Sequence, residues 1–302
     1  MLHIKYSITP QGGADLNKNN KFIIIGGDNR QTHIADYLGG KGYDVAAYAL
    51  PDAERLCSKS LKKEIESSKY IILPLPVTKD GRYIQTMTET RISVDEIISL
   101  LTAEHVVFGG MLSKALESKM AKKAGGVYDY FRREDVTVKN TVPTVQGILK
   151  VIIDNVDYTV NSSRCAVFGY GRVASLAAEV LSSLGADVTV CARKRSDLAK
   201  AEIKGFDTCF INEFCDIAKN YQILINTVPS VVINNEILER LKKGCLIIDV
   251  ASAPYGVDFA AADKLGINAI LCPSLPGKVA PVTAGRIIAD GILNILEEEG
   301  YG

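Results

Sequence analysis

The glycine-rich turn at residues 169–174, GYGRVA, limits what this chain can fold into more than any other feature. It matches the pattern G-x-G-x-x-A, follows the apolar run Cys165–Phe168 and opens a helical stretch. The first glycine allows a tight turn, the second lets the backbone approach a pyrophosphate, and the small sixth residue lets helix and strand pack closely. N–H groups at the start of the helix then face the anion. The residues predicted to bind a dinucleotide here are Gly169, Tyr170, Gly171, Arg172 and Val173.

Apolar strand-like runs alternate with amphipathic helical runs on both sides of this turn. Such alternation predicts parallel sheets with helices on both faces. The expected fold class is therefore α/β, with two doubly wound, Rossmann-like parallel sheets. Strands are predicted at Phe22–Ile25, Asp44–Tyr48, Tyr70–Leu73, His105–Phe108 and Val127–Tyr130, and then at Cys165–Phe168, Asp187–Cys191, Asp207–Phe210, Ile223–Ile225, Leu246–Val250 and Ala269–Leu271.

The length of 302 residues is enough for two domains with separate cores. Residues 145–280 are predicted to form the cofactor-binding domain, and residues 22–144 an N-terminal α/β domain that follows a loose leader, 1–21. Apolar residues at helical spacing follow both Pro143 and Pro281, which predicts two helices that link the domains. We expect the helix within residues 281–302 to return to the first domain and leave a cleft between the two. The alternative is that both are ordinary surface helices.

The end of the second strand of the cofactor domain indicates which dinucleotide fits. NAD-binding sheets usually place Asp or Glu there for the ribose 2′-OH. This chain has no acid at that point and has cations instead, which would complement a 2′-phosphate. NADP(H) is therefore the predicted cofactor, and the alternative is a solvated basic turn without a role. The residues concerned are Arg193, Lys194, Arg195 and Ser196.

Two later loops belong to the same site by topology, because ligands lie beyond the carboxyl ends of parallel strands. One loop follows the fourth strand of the domain and the other ends the fifth. The alternative at both places is a plain loop without a ligand. The loop residues predicted to contact the cofactor are Asn226, Thr227, Val228 and Pro229, and then Val250, Ala251 and Ser252.

Histidine occurs only at positions 3, 33 and 105, so the cofactor domain has none. A 2-hydroxyacid dehydrogenase of similar design needs an imidazole there, and that activity is disfavoured. The turn GGDNR, residues 26–30, is expected to receive a substrate carboxylate through helix N–H groups and Arg30, with Asp28 as a candidate base. The equal alternative makes Asp28 a helix N-cap. Thr144 and Lys278 are further candidates for the substrate site.

Charge and cysteine content argue against several classes of partner. Lys+Arg and Asp+Glu both number 35, so no strong field attracts nucleic acid or an anionic membrane. No apolar run is long enough to cross a bilayer. The seven cysteines include no CxxC pair, which predicts free thiols in a reducing cytosol rather than disulfides or a metal site. A small molecule is therefore the expected ligand, and the cytoplasm the expected location.

The segments IIGGDNRQ, VPTVQG, GYGRVA, NTVPS, DVASAPYGVDF and LPGKVAPVTAG occur in this order after residue 21. Together they resemble the family formed by the A subunit of dipicolinate synthase from spore-forming bacteria, over nearly all of the remaining chain. The resemblance implies NADP-dependent oxidation of dihydrodipicolinate, or of hydroxytetrahydrodipicolinate, to dipicolinate in the mother cell during sporulation. It also implies a flavoprotein-like partner, the B subunit of dipicolinate synthase. Family members often carry an acid where this chain has Gln146, so no catalytic carboxylate is expected at that position.

Two other functions stay open on the sequence. One is another NADP-dependent oxidoreductase with this two-domain plan, acting on a different small carboxylate. The other is a nucleotide-sensing or scaffold protein whose partner performs the chemistry. In each case we expect the chain to form a homo-oligomer.

Overall fold

The computed structural model describes residues 21–51 and 60–301, so residues 1–20 of the predicted leader lie outside it. The chain divides into two compact units. Unit 1 comprises the residues up to Thr137 together with those from Pro281 onward, and unit 2 runs from Val138 to Ala280.

Unit 1 is built around a five-stranded sheet in which all strands are parallel, in the order β2-β1-β3-β4-β5. Residues of β1 are buried throughout, which fits a parallel sheet covered on both faces. The strand order reverses between β1 and β3, and loops at the carboxyl ends there form the natural ligand crevice of such a sheet. The elements are β1 (Phe22–Ile25), α1 (Asn29–Gly40), β2 (Val45–Tyr48), α2 (Leu61–Glu66), β3 (Tyr70–Ile72), α3 (Val94–Leu100), β4 (Val106–Gly109), α4 (Lys114–Ala121), β5 (Gly126–Asp129) and α5 (Glu134–Lys139), whose last residues belong to unit 2.

Unit 2 contains a six-stranded parallel sheet in the order β11-β10-β9-β6-β7-β8. Read from β8 to β11, this is the strand order of dinucleotide-binding sheets, in which the first strand, here β6, lies beside the fourth, here β9. The strand order therefore reverses between β6 and β9. The two parallel sheets confirm the predicted α/β fold class. The elements are α6 (Thr141–Asn155), β6 (Arg164–Phe168), α7 (Arg172–Ser183), β7 (Asp187–Ala192), α8 (Arg195–Ile203), β8 (Asp207–Phe210), β9 (Ile223–Asn226), α9 (Asn235–Arg240), β10 (Leu246–Asp249), α10 (Phe259–Leu265), β11 (Asn268–Leu271) and α11 (Leu275–Val279).

The chain then returns to unit 1 as α12 (Pro281–Glu298). Its apolar face joins the core cluster beneath β1, β3 and β4, where Ile288 and Ile292 are buried. A Cβ at Gly285 would lie 2.5 Å from the Arg30 carbonyl oxygen, so this glycine lets α12 approach α1 closely. The first core of the molecule therefore depends on the last helix of the chain.

Prolines lie near the starts of three helices. The helix predicted after Pro281 is present as α12, and the short helix α11 precedes it. Proline is tolerated in the first turn of a helix because the N–H groups there have no intrahelical acceptor, and Pro276 and Pro281 both lie in such turns. For the same reason α6 begins at Thr141, ahead of Pro143, so the predicted domain boundary at 144/145 falls inside this helix.

Within residues 21–51 and 60–301, no helix combines the length and apolar character needed to cross a membrane. The six cysteines of these residues are all free thiols.

Candidate functional site

The glycine turn after β6 has one glycine that the fold itself requires. Gly169 adopts φ +98°, a left-handed conformation that favours glycine. A Cβ there would lie 2.5 Å from Thr227 Oγ1, because the loop after β9 crosses the turn at this point. The Gly169 N–H donates to the Cys191 carbonyl over 2.8 Å, which ties the turn to β7.

The second glycine of the motif is required by nothing that the structure describes. Gly171 is the N-cap of α7 with φ −84° and ψ −170°, an extended conformation that any residue adopts. A Cβ on it would meet no described atom within 4 Å, and no side chain caps the helix here. The start of α7 is therefore an open site where backbone N–H groups and the helix dipole favour an anion. This geometry fits the pyrophosphate of a dinucleotide.

The end of β7 carries the predicted cations at the surface. Arg193, Lys194, Arg195 and Ser196 are all exposed. Lys194 is the N-cap of α8 without a side-chain cap bond. The Arg195 guanidinium lies 5.2 Å from the ring centroid of Phe210, the last residue of β8. Cations and a second uncapped helix start thus occur together where a 2′-phosphate would be bound.

The loops after β9 and β10 are joined by a buried polar network that the sequence did not reveal. Asp249 is fully buried and accepts hydrogen bonds from Ala251 N (2.9 Å), Gly256 N (2.7 Å) and Asn226 Nδ2 (2.9 Å). Asn226 also bonds both the N–H and the carbonyl of Val228. Its side-chain amide bonds both loops, so Asn226 holds the loop after β9 in shape. The sequence signal for this arrangement was Asp249 itself, an acid directly after the apolar run Leu246–Ile248.

The other predicted loop residues lie at different depths. Thr227 is half-buried and its hydroxyl donates to the Phe168 carbonyl over 2.8 Å. Val228 and Ala251 are buried, and Val250 is half-buried. Pro229 and Ser252 are exposed and remain accessible to a ligand at the carboxyl ends of β9 and β10.

The turn GGDNR after β1 is closed on itself. Asp28 caps α1 and forms a capping box with Gln31, whose Oε1 accepts from Asp28 N over 3.0 Å. The Arg30 guanidinium donates two hydrogen bonds to the Asp28 carboxylate, from Nε to Oδ1 over 2.9 Å and from Nη2 to Oδ2 over 2.8 Å. Its Nη2 also donates to the Leu75 carbonyl over 2.6 Å. The Arg30 side chain is only 5% exposed. The expectation of free helix N–H groups here is therefore wrong, because the alternative, an N-cap role for Asp28, is the geometry observed.

Thr144 and Lys278 lie on two helices of unit 2 that pack together. A Cβ at Gly147 of α6 would be 2.8 Å from Leu275 Cβ of α11, so each candidate is three residues from the contact. The Thr144 hydroxyl is half-buried and donates to the Asn140 carbonyl over 2.8 Å. Lys278 is exposed, and its charge opposes the rise that burial causes in the pKa of Cys272, next to the end of β11.

His105 and a cavity in unit 1 are also candidate sites, because both include titratable side chains. His105 is buried, and its ring bonds Thr102 N (2.9 Å) and the Ile65 carbonyl (3.1 Å). A cavity of about 960 Å³ in unit 1 has Lys21, Ser68 and His105 in its wall, at the amino ends of the strands, whereas the GGDNR turn follows the carboxyl end of β1. Among residues 21–51 and 60–301, no group of three or more His, Cys, Asp or Glu could hold a metal ion.

Two family models match the chain. Residues 21–131 match the N-terminal domain of the A subunit of dipicolinate synthase. Residues 152–266 match the NAD binding domain of D-isomer specific 2-hydroxyacid dehydrogenases.

Similar proteins cover almost the whole chain. The A subunit of dipicolinate synthase from Bacillus subtilis (strain 168) is 33% identical over 285 residues, which are 92% of this chain and 96% of that protein. The crystal structure of the Bacillus subtilis protein has a TM-score of 0.80 and is covered to 96%, against 93% of this chain. The corresponding structure from Bacillus halodurans has 30% identity, a TM-score of 0.82 and coverage of 92% of this chain and 98% of that one. A transhydrogenase from Sinorhizobium meliloti, 18% identical with a TM-score of 0.64 over 92% and 94%, is alike in fold alone.

Proposed function

The chain belongs to the family of dipicolinate synthase A subunits, and from that premise we propose that it oxidises dihydrodipicolinate, or hydroxytetrahydrodipicolinate, to dipicolinate with NADP. Unit 2 is a pyridine-nucleotide-binding domain of an oxidoreductase. The observation that carries the proposal is the open start of α7 at Gly171, next to the acid-free, cationic end of β7.

The choice of NADP over NAD rests on charge. A ribose 2′-OH needs an acceptor at the end of the second strand, and β7 ends in Ala192 followed by exposed cations. Arg193 and Lys194 form no ion pair with any residue that the structure describes. Their charges are therefore available to a 2′-phosphate, which accepts charge-assisted hydrogen bonds from guanidinium and ammonium groups.

The remaining cofactor contacts follow from the loops. Gly169, Tyr170, Gly171, Arg172 and Val173 would surround the pyrophosphate. Pro229 and Ser252 would face the nicotinamide half, over loops that Asn226 and Asp249 hold in place. When bound, NADP⁺ supplies a nicotinamide ring that accepts a hydride.

The chain's own residues must hold the substrate ring and its two carboxylates. We assign the first carboxylate to Lys278, the cation near the carboxyl end of β11. The Thr144 hydroxyl already donates a hydrogen bond to the Asn140 carbonyl. It can accept a hydrogen bond from the substrate, but it must rotate before it can donate one. In unit 1, the Nη1 donors of Arg30 lie outside its contacts with Asp28 and the Leu75 carbonyl, so Arg30 is the candidate carboxylate partner of that unit taken by itself. Formation of an aromatic ring provides driving force, so no strong base is needed.

The biological setting follows from the same membership. We propose that the chain acts with the B subunit of dipicolinate synthase, in the mother cell during sporulation, and as a homo-oligomer. The relatives are themselves named as one of the subunits of a synthase, which supports a partner protein.

Purified protein, NADP and enzymatically generated dihydrodipicolinate, with and without the B subunit, test the proposal directly. Dipicolinate formation matched mole for mole by NADPH is the expected result. NADPH binding without turnover, even when the B subunit is present, would favour a nucleotide-sensing role. If the protein oxidises a different small carboxylate and not dihydrodipicolinate, the proposed substrate is wrong but the assignment as an oxidoreductase stands.

A further inference from the structure

Two cysteines face each other across the outer strands of unit 2. Cys191 of β7 and Cys209 of β8 are direct partners in the register of this parallel pair. Both belong to the same core cluster, together with Phe168 and Phe214, so their side chains lie on one face of the sheet. The Cys209 thiol donates to the Phe210 carbonyl over 3.2 Å, and each of the two thiols shifts the pKa of the other.

The spacing of such partners suits a covalent bond. Neighbouring strands lie about 4.8 Å apart, and the Cα atoms of disulfides lie about 4.4–6.8 Å apart. Only β7 borders β8, because β8 is the edge strand of the sheet. An edge strand has one neighbour to keep in register, so it can adjust to a shorter contact.

The two thiols are chemically unequal. Cys191 is fully buried, whereas Cys209 is half-buried and reachable from solvent. The neighbouring Cys191 thiol lowers the pKa of the Cys209 thiol, and burial raises the pKa of Cys191 well above its usual range. Cys209 is therefore the nucleophile, because the thiolate is the reactive form.

The pair is connected to the cofactor loops on both sides. The Cys191 carbonyl accepts the Gly169 N–H over 2.8 Å, and Arg193 follows two residues later. Cys209 directly precedes Phe210, and the Arg195 guanidinium lies over the Phe210 ring. A contraction between Cys191 and Cys209 would move both the glycine turn and the basic segment.

We propose that Cys191 and Cys209 are an oxidisable dithiol whose disulfide weakens NADP(H) binding; the second half of this rests on the proposed function. With hydrogen peroxide as oxidant, the Cys209 thiolate attacks an oxygen, the O–O bond breaks, and a sulfenic acid forms with release of water. Cys191 then loses its proton as its sulfur attacks the Cys209 sulfur, the S–O bond breaks, and the departing hydroxide takes up that proton and leaves as the second water. Two thiols and one peroxide thus give one disulfide and two waters. Thiols reduce the bond again.

The test uses the full chain and the variants Cys191→Ser, Cys209→Ser and Cys215→Ser. Cys215 is a half-buried thiol of the same unit, and its variant is the matched control. After peroxide treatment, peptide mass spectrometry should find the Cys191–Cys209 link in the parent and in Cys215→Ser alone. The dissociation constant of NADPH should rise about tenfold in these two proteins and recover with dithiothreitol.

Absence of the linked peptide in oxidised parent protein overturns the dithiol, whatever the cofactor does. A link that leaves NADPH affinity unchanged overturns the coupling to the cofactor site. If the reduced parent protein binds no NADPH, the proposed function fails and the coupling falls with it. The peptide link is measured without cofactor and still decides the dithiol.

Discussion

The two units place a glycine-containing turn and a helix at the same point of a parallel sheet, yet they use the helix start in opposite ways. In unit 1, Asp28 occupies the N-cap, Gln31 completes a capping box, and Arg30 neutralises the carboxylate. In unit 2, Gly171 occupies the N-cap and leaves the start of α7 open. One residue therefore decides whether the N–H groups of a helix stabilise the protein itself or receive a ligand.

The comparison also separates two kinds of glycine within one motif. Gly169 has a left-handed backbone and contacts Thr227, so the fold needs it. Gly171 has ordinary angles and open space around its Cα, so only a ligand needs it. Substitutions at the second position should change binding without changing the fold.

The largest expected effect is at Gly171. Gly171→Val fills the space where phosphate oxygens approach, and Gly171→Asp adds the cap that unit 1 has, together with a negative charge. Each should weaken NADPH binding by at least about 1,000-fold, roughly 4 kcal/mol. Isothermal titration gives the affinity, and urea unfolding gives the stability.

Stability supplies the control for both Gly171 variants. Gly171→Asp should be as stable as the parent or a few tenths of a kcal/mol more stable, because Asp is a good N-cap. A folded Gly171→Val protein that keeps parental NADPH affinity would remove the pyrophosphate turn from the site.

In unit 1 we expect the reverse, a substitution that lowers stability and leaves cofactor binding unchanged. Asp28→Ala removes the cap of α1 and leaves Arg30, 5% exposed, without its ion-pair partner. The free energy of unfolding should fall by about 3 kcal/mol, while NADPH affinity stays unchanged. Urea unfolding measures this, with amide hydrogen exchange in α1 and α7 followed separately. Asp28→Asn, which keeps a capping oxygen, should recover part of the loss. An Asp28→Ala protein with parental stability and no turnover would instead make Asp28 a catalytic base.

A smaller effect is expected at the basic end of β7. Arg193→Ala should cost about 2 kcal/mol in NADPH binding through lost charge-assisted contacts and leave NADH binding nearly unchanged. Fluorescence titration with both cofactors measures the two affinities. Lys200→Ala, an exposed cation on α8 that lies beside Asp197, is the matched control. Equal NADPH and NADH affinities in the parent protein would refute the preference for NADP.

The smallest effect is expected at Lys278. Lys278→Ala should lower kcat/KM for dihydrodipicolinate about tenfold, about 1.4 kcal/mol, with NADPH affinity unchanged. Lys264→Ala on α10, an exposed lysine of unit 2, should have parental kinetics. If both variants behave alike, the carboxylate partners must be sought at Arg30 and Thr144.

The sequence predicted the sheets well because their signals are local. Alternating apolar runs and the glycine turn placed strands such as β6 and β10 to within one residue of their observed ends. The cap of α1 was also readable, since Asp28 followed three residues later by Gln31 is the pattern of a capping box. That pattern favours an N-cap over a free carboxylate receptor.

Other parts of the site depend on contacts between distant residues. Asn226 and Asp249 are 23 positions apart and meet only because β9 and β10 are neighbours in register. The pairing of Cys191 with Cys209 likewise depends on strand register. No local pattern encodes such pairs, so the sequence could not show that Asn226 bonds Asp249 or that the two cysteines are neighbours.

The split of unit 1 around unit 2 sets the order in which the chain can fold as it leaves the ribosome. Unit 2 ends at Ala280 and is complete before α12 has been made. The core of unit 1 still lacks Ile288, Ile292 and Leu296 at that moment, and its apolar strands stay partly uncovered. The nucleotide-binding unit is thus finished first, and the core of unit 1 closes only after α12 has been translated. A chain stopped at residue 280 would release a complete unit 2 attached to an open, aggregation-prone sheet.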